Sequence, residues 1–360
     1  MNALTKGGTS ADPAKDSATA QVSTPATAVG PAGPPHRGDI LGRATGPTLK
    51  VVSKYGTLIA MAIMIVIFSI SIPNGAFLTG GNLLSIVNQS ALTAIIACGL
   101  TMVLVVGEFD LSVGYAASLA GVLVTGLLAN QGLPIVLAVL ITLLVGGGIG
   151  TVNGLLVTKA RVNAVVATLG VGTILTGLAF GYTAGSPIVA VPKEFTYLAL
   201  AKLAGIANPI WFMLLVVAIL WVILNRTASG QRIQAVGANR NAARLAGIRT
   251  DRSKITAFVI AGVCAAFTGI LLASLLGSGT VSAADSYLMD SFAAVFLGSA
   301  TLRDGEFHIL GTMIGVLVVN VGFNGLALLG TPTFWQYVFK GGILVVAVAL
   351  STIARRYARP

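Results

Sequence analysis

Residues 225–254 read NRTASGQRIQAVGANRNAARLAGIRTDRSK and stand between two strongly apolar runs. Seven of them are basic (Arg226, Arg232, Arg240, Arg244, Arg249, Arg252 and Lys254) and only Asp251 is acidic. A long polar stretch between apolar runs is a loop, and an excess of Lys and Arg marks the loops that a membrane protein keeps on its inner side. The middle of this loop, Asn239 to Ala246, is written as a short helix. Asn239 suits its N-cap, and Gly247 can end it in the left-handed conformation. Ala242, Ala243 and Ala246 leave a low-relief face, and Arg232, Arg240 and Arg244 offer cations to acidic groups. Gly230 and Gly237 are expected to permit tight backbone turns. Such a helix suits docking into a groove on a soluble partner.

Composition supports a membrane class. Charged residues make up 9% of the chain and hydrophobic residues 55%, against about 25% charged in soluble domains. There are 44 glycines, which fits helices that pack closely in lipid. The formal net charge is +11, yet the distribution argues against a nucleic-acid partner. Nineteen of the 22 basic residues fall in the first 54 positions, at Lys159 and Arg161, in the loop, at Arg303, or after Ala354. These positions share one side of the topology, so the charge sets orientation. Lys193, Lys202 and Lys340 are the exceptions. Cys98 and Cys264 sit inside apolar runs, without a CxxC spacing, and read as small buried hydrophobes.

Residues 1–50, rich in Ala, Thr, Pro, Gly and Ser, are expected to form a disordered tail on the inner side. Residues 51–355 form the membrane domain, with 226–253 as its inner loop. Ten apolar stretches cover about 52–72, 83–107, 111–129, 134–157, 162–184, 209–225, 254–277, 287–301, 308–329 and 335–354. Several approach the ~20 residues that cross a bilayer as helix. The third and eighth are short, as broken or protein-buried helices are. The expected fold is therefore all-α and polytopic, with about ten transmembrane helices and both termini inside. Five spans before the outer segment 185–208 and five after it suggest two inverted halves, and the strings VVATLG (165–170) and AAVFLG (293–298) hint at duplication. The outer segment itself is long enough for a short amphipathic helix, with Phe195, Leu198, Leu200 and Leu203 as its apolar residues.

Between the second and third stretches stands GEFDLSVGY, Gly107 to Tyr115. Asp110 is placed to cap the third helix, with Ser112 a further candidate; a direct transport role is the alternative. Within the apolar stretches the polar residues are mostly amides, among them Asn88, Gln89, Asn153, Asn163, Asn320 and Asn324. They either hydrogen-bond a solute or lock helices together. Phe292, Phe334, Trp335 and Tyr337 are aromatic candidates for stacking on a solute. No GxxxxGK[ST] is present, so ATP hydrolysis by that route is excluded. No HExxH, paired Cys/His set or nucleophile–base pair is found, and neither a metal site nor an enzyme is expected.

Four separated motifs then carry a resemblance. GEFDLSVGY resembles a GGIDLSVGS-like string; Asn163, Ala164, Val166, Ala167, Thr168, Leu169 and Gly170 match an N-A-VATLG-like run; TASGQRIQAVGANRNAARLAGI, Thr227 to Ile248, matches a cytoplasmic loop; and Phe292 to Gly330 matches a Gly-rich last third. The chain resembles, over about 50–355, the permease subunits of bacterial ATP-binding-cassette importers for ribose, xylose, arabinose and related sugars. It departs at Glu108, where Gly is usual, at Ser299 and Ala300, and at Arg303, Asp304 and Glu306. The resemblance implies a multi-pass protein of the bacterial cell membrane that forms a sugar path with a second permease copy. A cytoplasmic cassette ATPase would hold ATP and Mg²⁺, this chain would bind no cofactor, and an extracytoplasmic sugar-binding protein would deliver substrate. Gly230, Arg232, Gly237, Asn239, Ala242, Ala243, Arg244 and Gly247 are the expected coupling residues. Asn88, Gln89, Asp110, Asn163, Phe292, Asn320 and Asn324 are the expected path residues. The alternative is an ion-coupled secondary transporter of a small polar solute, which would want protonatable groups deep in its spans.

Overall fold

A computed structural model describes residues 47–301 and 305–358. The expected tail lies outside the described residues up to position 46, and residues 47–50 already belong to the first helix. Arg303 and Asp304 of the charged turn also lie outside them. In lipid, backbone N–H and C=O groups must find partners within the protein, so apolar runs fold as helices. Each of the ten stretches does so: α1 (Pro47–Ser71), α2 (Gly80–Val105), α3 (Val113–Ala129), α4 (Ile135–Thr158), α5 (Ala164–Thr183), α7 (Asn208–Arg226), α10 (Thr250–Leu276), α11 (Ser286–Ser299), α12 (Ile309–Leu328) and α13 (Thr333–Ala358). A 3₁₀ segment, Pro73–Leu78, follows α1. The outer segment carries α6 (Lys193–Leu200) and a small hairpin, β1 (Lys202–Leu203) with β2 (Ile206–Ala207). The basic loop carries α8 (Ala228–Ala238) and α9 (Arg240–Leu245).

Among the described residues six helices, α2, α4, α5, α7, α10 and α12, are long and apolar enough to cross a membrane. The third and eighth stretches make the short helices α3 and α11, of 17 and 14 residues. Protein side chains satisfy the backbone near their starts. Leu111 N donates to Thr168 Oγ1 (2.9 Å) before α3, and Ala284 N donates to Ser118 Oγ (2.9 Å) before α11.

The centre is built from α2 and α10. Every residue from Ser90 to Leu104 is buried, as expected of a helix that is apolar all round and enclosed by others. Close approach depends on small residues. Gly146, Gly150 and Gly154 of α4 face Gly262, Phe258 and Ile255 of α10, and a Cβ added at Gly146 would stand 2.6 Å from the Gly262 carbonyl. This is the small-xxx-small packing of membrane helices.

Helix ends sort into two faces. On the face that carries α8 and α9, called the loop face, Lys159 pairs with Asp251 (3.3 Å) and Lys254 with Glu108. On the opposite face Ile188 and Gly279 exchange backbone bonds (2.9 Å each), and Ser274 Oγ donates to Phe195 O (2.7 Å). The two inverted halves are visible in the packing. α2 contacts α10; α10 packs on α3 and α4 as α2 packs on α11 and α12; α3 meets α5 as α11 meets α13. The matching units, α2–α5 and α10–α13, are four helices each rather than five. VVATLG lies in α5 and AAVFLG in α11, which are not counterparts, so that string likeness is no trace of the repeat.

Candidate functional site: the loop face

The basic loop is a rigid two-helix platform. Thr227 starts α8, its hydroxyl accepting from Gly230 N (3.2 Å) while donating to Ile223 O (2.6 Å). Ile233 and Val236, three residues apart on one face, are buried beneath α8. Gln234 Nε2 donates to Leu224 O (2.5 Å), satisfying a carbonyl at the end of α7. Gly230 and Gly237 correct the sequence expectation: neither makes a tight turn, and both lie inside α8. What they permit is close approach. A Cβ on Gly230 would overlap the Ile223 and Leu224 carbonyls, and one on Gly237 would overlap the carbonyl of Val105 at the end of α2.

α9 follows at once. Asn239 caps it as expected, accepting from Asn241 N (3.1 Å) and Ala242 N (3.0 Å). Gly247, at φ +79°, ends it. Gly247 N bonds to Arg244 O and Ile248 N to Ala243 O, both at 3.0 Å, which is a Schellman closure. The expected small-residue face is split. Ala243 points inward and is buried, whereas Ala242 and Ala246 are exposed. The outward feature is one that residue-type reasoning missed. Leu245 is 90% exposed, with Arg240 and Arg244 exposed beside it. The sequence signal was a lone large apolar residue in a polar, basic segment.

Beneath the platform lies the α2–α3 connection. Glu108, the unusual residue of GEFDLSVGY, pairs with the buried Lys254 of α10. Asp110 is buried; its Oδ1 accepts from Ser112 N (2.9 Å) and Ser112 Oγ (2.6 Å), and Asn153 Nδ2 donates to Ser112 Oγ (2.7 Å). Asp110 therefore shapes the turn, while Ser112 holds the N-cap position without a side-chain capping bond. Phe109 stacks on Phe292 (6.3 Å, 18°) and Phe296 (6.5 Å, 26°), which engages Phe292 in an aromatic cluster at this end.

The seven expected path residues do not form one cluster. Asp110 and Asn163 lie at the loop face, where Asn163 caps α5 through Val165 N (2.9 Å). Asn320 and Asn324 share a buried face of α12, but Asn320 Nδ2 donates to Val316 O (2.9 Å) and Asn324 exchanges two 2.9 Å amide bonds with Asn82. Gln89 is exposed and bonds Ser85 Oγ (3.0 Å). Asn88 keeps a buried Oδ1 without a partner. Asp290 is buried in α11 and paired with Lys340 of α13 at 2.7 Å. Lys340 also lies over the Phe323 ring (5.3 Å). Its place as an exception in the charge pattern was the signal for a partner within the membrane region.

Comparisons with known proteins agree with this architecture. Residues 82–348 match the family described as branched-chain amino acid transport system / permease component. The ribose import permease protein of Bacillus subtilis is 38% identical over 83% of this chain and 93% of its own length. The L-arabinose ABC transporter permease protein of Azospirillum brasilense is 32% identical over 88% and 93%. The D-allose transport system permease protein of Escherichia coli is 32% identical over 83% and 92%. No solved structure matches significantly. The chain is a multi-pass inner-membrane protein and belongs to the family of permease subunits of ribose/xylose/arabinose-type ATP-binding-cassette sugar importers.

Proposed function

We propose that this chain forms the membrane path of an importer for a monosaccharide, a ribose-like pentose or a related sugar. The observation that carries the coupling part is Leu245, fully presented on α9 between two exposed arginines and held from behind by Ala243. An exposed apolar knob flanked by cations suits an apolar socket with an acidic rim. A cytoplasmic cassette ATPase, carrying ATP and Mg²⁺, supplies that socket. Coupling residues Gly230, Gly237, Asn239 and Gly247 shape the platform, while Ala242 and Arg244 face the partner. The loop face is cytoplasmic, with both termini on that side. The α6 and hairpin surface receives an extracytoplasmic sugar-binding protein.

Two copies complete the path. Gly170, Thr173, Gly177 and Gly181 of α5 are all exposed, and nothing approaches a Cβ placed at any of the three glycines. Small residues on an outward helix face suit close packing against a second helix in lipid. ATP-driven motion of α8 and α9 reaches the end of α2 through Gly237, and from there α10 through the Glu108–Lys254 pair, biasing the bundle between outward and inward states. Ion coupling is the rival mechanism, and the Asp290–Lys340 pair is the feature that favours it.

One experiment separates the two. Sugar uptake into vesicles that hold the assembled complex is measured with ATP, with and without a protonophore. Persistence of uptake under the protonophore, and loss of ATPase capture by at least about tenfold in Leu245→Asp, as expected of a central apolar contact, support the proposal. Collapse of uptake with the proton gradient, or normal capture by the variant, removes it.

A further inference from the structure

A second basic feature lies beside the platform. Between α8 and the start of α10 is a groove of about 340 Å³, lined by Arg232, Arg249, Arg252, Ser229, Gly247 and Thr256 among others, with no acidic side chain. The three arginines are exposed, and none of them enters an ion pair among the described residues. Asp251, the acid of this loop, is turned to Lys159. Guanidinium groups remain charged at any ordinary pH, so three around one groove favour an anion there.

What lies next to the groove selects the kind of anion. Arg252, Thr256, Val259, Val263 and Phe267 follow one another at three- and four-residue steps and share one face of α10. Below Thr256 this face is apolar and left partly exposed. It is walled on one side by α4, where a Cβ at Gly147 would lie 3.5 Å from Val263, and on the other by α7, where Phe212 meets Phe267 edge-on at 5.5 Å. A cationic groove therefore opens at the end of an apolar furrow along a membrane helix. A small inorganic anion would use only the groove, and an acidic protein segment would have no use for the furrow.

We propose that this is a binding site for an anionic phospholipid, with its phosphodiester among Arg232, Arg249 and Arg252 and an acyl chain along Val259, Val263 and Phe267. The bidentate geometry of arginine suits phosphate oxygens. The site borders Ala246 and Gly247, at the end of α9, so an occupying lipid braces the platform from the membrane side. The proposal needs only the chain and lipid, and stands apart from the identity of the cargo or the ATPase.

The test uses the full-length chain in phosphatidylcholine nanodiscs doped with spin-labelled phosphatidylglycerol or spin-labelled phosphatidylcholine. An excess of immobilised phosphatidylglycerol over phosphatidylcholine is expected. At roughly a fivefold contribution per basic residue near the surface, the triple variant Arg232→Gln, Arg249→Gln, Arg252→Gln weakens that preference by about a hundredfold. The charge-keeping triple lysine variant retains most of it. Val263→Trp, which fills the furrow without touching a charge, reduces it. These last two variants decide the matter if the glutamine variant fails to insert. Equal immobilisation of the two lipids, or a preference unchanged by the glutamine variant, overturns the proposal. So does displacement by inorganic phosphate, which would mark a small-anion site, or an unchanged preference in Val263→Trp. Absence of the lipid preference together with loss of ATPase capture in the glutamine variant would assign the groove to a protein partner instead.

Discussion

Gly237 shows how far a single residue depends on a distant one. Its missing side chain faces the Val105 carbonyl at the end of α2, and a backbone carbonyl cannot swing aside as a flexible side chain can. Gly237→Ala therefore forces α8 away from α2, at about 1–3 kcal/mol of overpacking. Amide exchange across 228–248 is expected to accelerate while that of α2 stays slow; unchanged exchange would show that the approach is not tight. Lys254 depends on Glu108 in the same long-range way. Lys254→Met leaves a partly buried carboxylate alone, a loss of about 3–5 kcal/mol if the site behaves as a buried pair. The double variant Glu108→Gln, Lys254→Met is expected to recover much of that loss, and strictly additive unfolding energies would mean the two groups are uncoupled. Asn239 and Gly247 were legible in the sequence because they act on backbone within a few residues. Gly230 and Gly237 were misread as turn glycines because the carbonyls they avoid belong to neighbouring elements that no local pattern reveals.

At the scale of the element, continuous apolar stretches located every long helix, because lipid leaves the polar backbone of such a stretch little alternative. The α8 helix was not anticipated. Its buried residues, Ile233 and Val236, are too few to make a strong pattern, and its stability comes from docking on α2, α7 and α10. Amide residues were the least legible part of the candidate site, since a side chain suited to a sugar is equally suited to another amide. Asn324 is a case in point, with its two bonds to Asn82. Asn324→Leu thus leaves Asn82 Oδ1 without its partner in a part-buried pair, while Asn82 Nδ2 keeps its bond to Phe77 O (2.8 Å), and about 1–3 kcal/mol of stability is expected to go with it. Adding Asn82→Leu restores thermal stability and complex yield in large part. Were Asn324→Leu to leave assembly intact and remove only sugar flux, Asn324 would belong to the path after all. If assembly fails with the flux instead, Asn88, with its unpartnered Oδ1, is the better candidate for solute contact.

For the whole molecule, the arrangement of charges and the arrangement of helix ends are independent lines of argument, and they coincide. The loop face gathers Lys159, Lys254 and the arginines of α8 and α9, whereas the opposite face carries the α6 segment and hairpin with Lys193 and Lys202. Lys340 breaks the bias without contradicting it, because Asp290 neutralises it within the bundle. The inner-positive bias of membrane proteins is the argument behind the proposed cytoplasmic placement of the loop face. Two native cysteines, Cys98 and Cys264, are both buried, so a membrane-impermeant maleimide should react weakly with the parent protein. Leu245→Cys places a thiol on the most protruding point of α9, and Leu203→Cys places one on the hairpin, where Leu203 is 61% exposed. In sealed cells only the hairpin thiol is expected to react, and in inverted vesicles only the α9 thiol. The reverse pattern would invert the whole assignment, moving the ATPase-facing platform outside and ending the coupling proposal with it. Reaction of both thiols from one side would instead break the alternation of helices between two faces, on which the inverted relation of α2–α5 and α10–α13 depends.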